Sequence, residues 1–394
     1  MTSVGVFFGG RSVEHEVSVI TALQAISAFP TGTLTPVPVY IAKDGAWYTG
    51  ERLTTVEAFR DIERLVGGAM RVTMRPEPDA RGALMPVEAR RGLLGGGHRA
   101  VAQIDVALPL VHGSNGEDGT LQGLFELCDT AYCGSGVAAA ALSMDKRLAK
   151  AAFRCAGLTV LDDVLIRRER WATAADALSD DVAQRFGYPV YVKPLSLGSS
   201  IGVSRVESPA QLRDAVELAL TYDTRCLVEP AQEGIIEINC AVLGRADDLR
   251  VSACEQPKAG GLLTYEDKYL SKGGKAGAGA PATGKAASQR VVPAPLADAM
   301  TRRVQDTAVA AFRAVDAEGV ARVDFLVRGD DDPIIVNEIN TVPGSLSFHL
   351  WEPVGLSLTD VVARLVELAL QRHAARSRTA YSIDTWLLTG PPRG

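Results

Sequence analysis

Between residues 322 and 340 the chain sets a cation, two carboxylates and an amide at strand spacing. The run is Arg322-Val-Asp324-Phe-Leu-Val, a polar turn, then Ile-Ile-Val-Asn-Glu338-Ile-Asn340. Side chains two apart on a strand share a face, so Arg322 goes with Asp324 and Glu338 with Asn340. Arg-Gly-Asp-Asp-Asp-Pro, residues 328 to 333, is turn chemistry that folds the two strands together. A turn centred near Asp331 puts Asp324 opposite Glu338 and Arg322 opposite Asn340; a slip of one residue sends one set to the other face. Facing carboxylates repel unless a cation lies between them. Hard oxygen ligands with an amide carbonyl suit Mg²⁺, which takes few protein carboxylates and shares its shell with substrate phosphates. The plainer reading is a solvated hairpin whose acids face water.

Other residues could join such a site. Lys193 ends the apolar run Tyr188–Lys193 and precedes Leu195-Ser-Leu-Gly-Ser-Ser-Ile-Gly202. The N–H groups of a glycine-serine loop can cradle phosphate, with lysine as a point charge. The lysine precedes the glycines, so this is not a P-loop, and Gly9-Gly10 makes no dinucleotide fingerprint. Glu14, His15 and Glu16 stand at a helix start, where acids complement the dipole; the functional alternative is recognition of an ammonium group. His112 adjoins Gly113 at a strand end and is a better site candidate than His98 or His373, which lie in polar loop-like or helix-terminal surroundings.

The elements that must position these groups follow from pattern. A chain of 394 residues is too long for one core and implies two or three domains. Composition is that of a soluble globular protein, with 47% hydrophobic and 22% charged residues and a net charge of −6. Without a basic tract, nucleic acid is not an expected partner. The N-terminal run reads as a buried strand, neither signal peptide nor membrane span. The six cysteines form no Cys-x-x-Cys pair and read as free thiols of a reducing cytoplasm.

Val4–Phe8, Gly9-Gly10, Val13–Phe29 and Val37–Ile41 read as a β-α-β start with a parallel sheet. Residues about 45 to 104 read as an insertion with a helix at Thr55–Val66 and a small hairpin. Ile104–Leu110 is a buried strand running into His112-Gly-Ser-Asn-Gly-Glu117-Asp118-Gly119, a polar loop where α/β sheets place ligands. Residues about 157 to 225 form a small α+β unit. The stretch about 265–287, rich in Gly and Ala, reads as a long mobile loop of the lid kind. The helix Leu358–Arg372 closes the fold.

Seven stretches then combine: Gly9-Gly10-Arg-Ser12-Val-Glu14-His15-Glu16; His112-Gly-Ser-Asn-Gly-Glu117-Asp-Gly119; Gly134-Ser-Gly-Val with Ser143-Met-Asp-Lys146; Val192-Lys193-Pro with Gly198-Ser199-Ser200-Ile-Gly202; Tyr265-Glu-Asp-Lys268-Tyr269-Leu; Arg322-Val-Asp324-Phe; and Asn337-Glu338-Ile-Asn340-Thr-Val-Pro343-Gly344. In this order, and over nearly the whole chain, they resemble the D-alanine–D-alanine ligases of the ATP-grasp type. The resemblance implies three domains: a parallel-sheet N-terminal domain over 1–136, a central ATP-grasp subdomain over 137–227 and a C-terminal one over 228–394.

It also implies roles. ATP is clamped between the last two domains. Lys146 and Lys193 contact its phosphates, Ser199 and Ser200 form the loop above them, Glu229 falls at the adenine-side hinge and Glu237 near the ribose. Asp324, Glu338 and Asn340 hold two Mg²⁺, with Mn²⁺ as a possible substitute. Glu14 takes the ammonium of the first amino acid and is tied to Ser199 and Tyr269; His112 lies on the substrate side. Lys268 faces the second substrate's carboxylate as well as the nucleotide. Arg322 and the Gly344 N–H stabilise the oxyanion. A cytoplasmic homodimer is implied, with amino acids and ATP as partners and no membrane.

One departure stands out. The family continues Pro-Gly-(Phe/Met)-Thr-x-x-Ser-(Met/Leu), whereas here Pro343-Gly344 is followed by Ser-Leu-Ser-Phe-His349-Leu350. His349 takes the place of the serine that grips the second amino acid's carboxylate, beside Leu350. Three readings result: a cell-wall ligase making D-alanyl-D-alanine, the same chemistry on another acceptor, or a nucleotide-binding protein without catalysis.

Overall fold

The computed structural model describes residues 1–88, 99–257, 290–329, 332–383 and 385. Strand Thr2–Gly9 lies between Leu34–Ile41 and Val106–Pro109, parallel to both, with helix His15–Ser27 as the crossover. Alternation along the first strand serves two cores. Val4, Val6 and Phe8 face one cluster, while Phe7 faces another and stacks edge-on against Trp47 at 5.4 Å and Phe125 at 4.9 Å.

The region expected to be an insertion instead extends this sheet. Trp47–Thr49, Met70–Met74, Ala83–Pro86 and Ala102–Gln103 add antiparallel strands, and Ala131–Tyr132 pairs in parallel with Val106–Pro109, giving eight strands among the described residues. Met70-Arg-Val-Thr-Met buries Val72 and Met74 and exposes Arg71 and Thr73, the alternation of a strand with one covered face. The helix expected at Thr55–Val66 is broken. Val56–Arg60 is 3₁₀, and a new helix, Ile62–Gly67, starts where the Asp61 side chain accepts the Arg64 N–H.

A second, antiparallel sheet orders Ser204–Val206, Val190–Pro194, Arg225–Pro230 and Val164–Arg167, with helices Arg168–Phe186 and Pro209–Tyr222 against it. The third orders Arg290–Val291, Asp248–Pro257, Ile236–Arg245, Gly319–Val327 and Ile335–Asn340, all antiparallel. One face of it buries Ile238, Cys240, Val242, Val323 and Phe325 against Met300, Val304, Ala308 and Phe312 of helix Asp298–Ala314. The site residues of the hairpin alternate with these and so point the other way.

Helix Leu358–Arg376 fastens the third sheet to the first. It starts with a capping box between Ser357 and Asp360. Near its end Arg372 donates to the carbonyls of Tyr132 (2.6 Å) and Gly134 (2.7 Å) and to Glu318 Oε2 (2.9 Å). Gly319, with φ +76°, lies so close that a side chain there would come 2.7 Å from Gly134 Cα. All six cysteines are unpaired, as expected. Among the described residues no helix is long and apolar enough to cross a membrane.

Candidate active site

The hairpin has the register anticipated for a turn near Asp331. Asp324 stands opposite Glu338 and Arg322 opposite Asn340, with the irregularity falling after Asp324. Arg322 grips Asp324 with two bonds, Nε–Oδ1 at 2.6 Å and Nη2–Oδ2 at 2.8 Å; Asn340 Nδ2 donates to Oδ2 at 3.3 Å. Lys146 Nζ lies 3.6 Å from Glu338 Oε2. Burial works against the Arg322 charge, but Asp324, Glu255 and Glu338 outweigh it and hold the guanidinium charged. Two facing carboxylates with an amide carbonyl beside them fit a divalent cation of the Mg²⁺ kind, and the two cationic side chains meet their charge here. Among the described residues no group of three His, Cys, Asp or Glu side chains gathers as a metal site, so this mixed donor set stands as the candidate.

Next to it lies a row of lysines. Lys193, at the end of Val190–Pro194, places Nζ 2.6 Å from Glu229 Oε2 and 3.3 Å from Asn337 Oδ1. Lys150, almost wholly buried, bonds the other Glu229 oxygen. Burial opposes the Glu229 charge, yet the two lysines bring its carboxyl down to about 2, and Glu229 in turn raises Lys193. Glu229 thus fixes Lys193, which also feels the charge of Glu237, exposed on Ile236–Arg245. Lys146 Nζ donates to the Leu197 carbonyl at 2.5 Å, so the glycine-serine loop hangs from the same cation that faces Glu338.

That loop reaches Glu14. Ser199 Oγ donates to Glu14 Oε1. Gly198 permits the approach, since a Cβ there would lie 3.3 Å from both Glu14 oxygens. Ser199 and Ser200 both have left-handed backbone, φ +53° and +57°. Glu14 is buried and its side chain makes no cap bond to the helix it precedes, while Glu16 lies in that helix's first turn, where its charge complements the dipole. Lys268, Tyr269 and the expected loop about 265–287 lie outside the described residues, as does His98.

Two residues the sequence reading passed over stand between these parts. Glu117 accepts the Gly113 N–H at 2.8 Å and the Val342 N–H at 3.0 Å. Burial pushes its carboxyl up to about 8, and the Glu14 carboxylate adds to this against the pull of the two N–H bonds and the Arg322 charge. Thr21 Oγ1 accepts the Ser345 N–H at 3.0 Å and lies 3.0 Å from His112 Nε2. The sequence signal for Glu117 was its place in the glycine-rich loop; Thr21 had none.

His349 sits one turn beyond Gly344, on Phe348–Trp351, with Leu350 buried beneath it. Its Nε2 is 2.5 Å from Glu255 Oε2 and 2.8 Å from Arg290 Nη1. A single ring nitrogen either donates to the carboxylate or accepts from the guanidinium, and cannot do both at once. Burial opposes the Glu255 charge, while His349, Arg290 and Arg322 lower its carboxyl. The arrangement as a whole brings together lysine charges, two facing carboxylates with an amide and a buried carboxylate, groups of the kind that phosphoryl transfer uses.

Comparison with known proteins agrees in kind. The family model described as D-ala D-ala ligase N-terminus matches residues 3–135, and that described as D-ala D-ala ligase C-terminus matches 152–367. A D-alanine–D-alanine ligase of Heliobacterium modesticaldum is 35% identical over 384 residues, 96% of this chain and 97% of its own. The VanG D-Ala:D-Ser ligase of Enterococcus faecalis superimposes with a TM-score of 0.76 at 28% identity, covering 93% of this chain and 99% of its own. The D-alanine–D-alanine ligase of Coxiella burnetii does so at 0.75 and 28%, covering 96% and 98%.

Proposed function

The chain belongs to the D-alanine–D-alanine ligase family and has its ATP-grasp fold, and we propose that it joins two D-alanine molecules, with cleavage of ATP to ADP and phosphate, to supply D-alanyl-D-alanine for peptidoglycan. The observation that carries this is the joining of the Asp324, Glu338 and Asn340 face to Lys146, Lys193 and, through Ser199, to Glu14.

The chain divides into three working parts, 1–136, 137–227 and 228–394, with the reaction where they meet. The ammonium of the first D-alanine docks on Glu14, near His112. Its carboxylate oxygen attacks the γ-phosphorus of ATP, the bond to ADP breaks and an acyl phosphate results. Lys146 and Lys193 neutralise the phosphate oxygens, the Ser199–Ser200 loop covers them, and Glu229 keeps Lys193 in place, with Glu237 on the ribose side. Asp324, Glu338 and Asn340 would hold Mg²⁺, two ions in this reading, which when bound would offset charge on the phosphates. The amine of the second D-alanine then attacks the acyl carbon. Arg322 and the Gly344 N–H receive the oxyanion, and phosphate leaves as the amine gives up its proton. Lys268 and Tyr269 serve the second substrate and the cover of the site, which must exclude water or lose the acyl phosphate to hydrolysis. A homodimer working in the cytoplasm accords with the resemblance.

A second reading has one observation behind it. The His349 seat with Glu255 and Arg290 replaces a simple hydroxyl where the second amino acid's carboxylate would rest, so the acceptor could be other than D-alanine. The metal assignment is tested by Glu338→Ala. ADP formation should fall at least a thousandfold with the folded far-ultraviolet spectrum retained; turnover near that of the wild type would sink it.

A further inference from the structure

Gly344 belongs to a turn that side chains of the first sheet's unit hold from both sides. On one side Glu117 takes the N–H of Val342, using its other oxygen to brace Gly113. On the other side Thr21, in helix His15–Ser27, takes the N–H of Ser345. His112 completes the grip: it lies 3.0 Å from the Thr21 hydroxyl and bonds the Val342 backbone. Burial takes His112 down to about 4 despite that backbone bond, so the ring is neutral near pH 7. A neutral ring that donates to a backbone carbonyl has its second nitrogen left to accept. The Thr21 proton therefore goes to Nε2, and the Thr21 oxygen is turned to the Ser345 N–H.

What is held is a disfavoured backbone. Ser345, Leu346 and Ser347 all have φ +52°, three successive left-handed residues with no glycine among them. Such a run persists only where its surroundings over-determine it. Leu346 and Ser347 are buried, Leu346 N–H bonds the Pro343 carbonyl at 2.9 Å, and Trp351 Nε1 donates to the Leu346 carbonyl at 3.3 Å. As first residue of the turn, Gly344 has an N–H with no partner inside it.

We propose that Thr21 and Glu117 are positioning residues, which clamp the left-handed turn at Ser345 and Val342 and so aim the Gly344 N–H at the reacting carbonyl, with His112 orienting the Thr21 hydroxyl. This rests on the reading of Gly344 given above. It makes the oxyanion site a joint product of two units: the donor is on the third sheet's side and its clamp on the first sheet's side. Neither half presents the N–H correctly alone.

The test compares Thr21→Val, which keeps shape and removes the hydroxyl, with Thr21→Ser, which keeps the hydroxyl. Three quantities are read: kcat, KM for ATP, and the inhibition constant of a phosphinate dipeptide analogue whose charged oxygen stands where the oxyanion forms. In Thr21→Val, kcat should fall about tenfold or more and phosphinate affinity by a similar factor, with KM for ATP unchanged. Thr21→Ser should stay within about twofold of the wild type. A normal kcat in Thr21→Val, an equal loss in Thr21→Ser, or a loss shared by ATP binding would overturn the proposal. Glu117→Leu, which removes both acceptor oxygens, should repeat the pattern and serves should Thr21→Val not fold. Amide hydrogen exchange at Ser345 separates this inference from the reading it rests on. A wild type that makes no product from D-alanine overturns the reading. The clamp is overturned if Ser345 exchanges no faster in Thr21→Val than in wild type, where at least tenfold is expected.

Discussion

Glu117 couples charge to the joint between two sheets, and its proton is measurable. Burial raises its carboxyl to about 8, against an ordinary value of 4.5. Between these values the unfolded chain has lost the proton and the folded chain keeps it. The group's contribution is therefore complete below about pH 4.5, shrinks as pH rises, and is gone above about 8. Wild-type stability should fall across that window more steeply than that of Glu117→Gln, by up to about 1.4 kcal/mol per pH unit; parallel Tm–pH curves would contradict the assignment. His349 gives a second residue-scale expectation. His349→Ser removes the ring that Glu255 and Arg290 share, and should shift the ratio of D-alanine to bulkier D-amino acids used as acceptor by fivefold or more. Competition assays with an unchanged profile would remove that position from selectivity. The readable residues were those whose spacing alone set their face: Arg322 with Asp324, Glu338 with Asn340. Thr21 was not readable, because its backbone partner lies 324 residues away; of Glu117 only its place in the glycine-rich loop was, its bond to Val342 spanning 225 residues.

At the scale of elements, period decided what was legible. The apolar run opening the chain, the strand ending at Lys193 and the two hairpin strands lie where alternation and turn residues placed them. The region from 45 to 104 misled because short strands of two to five residues, with 3₁₀ turns between them, have too little period to reveal that they extend an existing sheet. Helix Leu358–Arg376 was legible in its body, and its start is secured by the capping box. Ser357→Ala should cost about 1 kcal/mol of stability in urea unfolding, with kcat unchanged because the exposed capping box bonds none of the site residues. A matching loss of kcat would mean that fraying there reaches the Gly344 turn.

The whole molecule works as a meeting of three sheets, and its fastening is local. Arg372 spans the joint with three hydrogen bonds and lies over the Tyr132 ring at 4.0 Å. Arg372→Ala leaves Glu318 and two carbonyls without that partner and should cost about 3 kcal/mol. Calorimetry should then show the cooperative transition lowered or split; an unaltered single transition would place the fastening elsewhere. No pattern within one segment could reveal such a joint, since Tyr132, Glu318 and Arg372 come from three distant stretches. The family resemblance supplied the order of the parts, and the structure supplies their contacts. The central claim is that these parts together make one ligase active site for D-alanine. The most direct test is ATP-dependent phosphate release with D-alanine as the sole amino acid, with the product weighed by mass spectrometry. The account expects one phosphate per D-alanyl-D-alanine formed, and none without D-alanine. Phosphate release without that dipeptide, restored only by adding another amino acid, would contradict it.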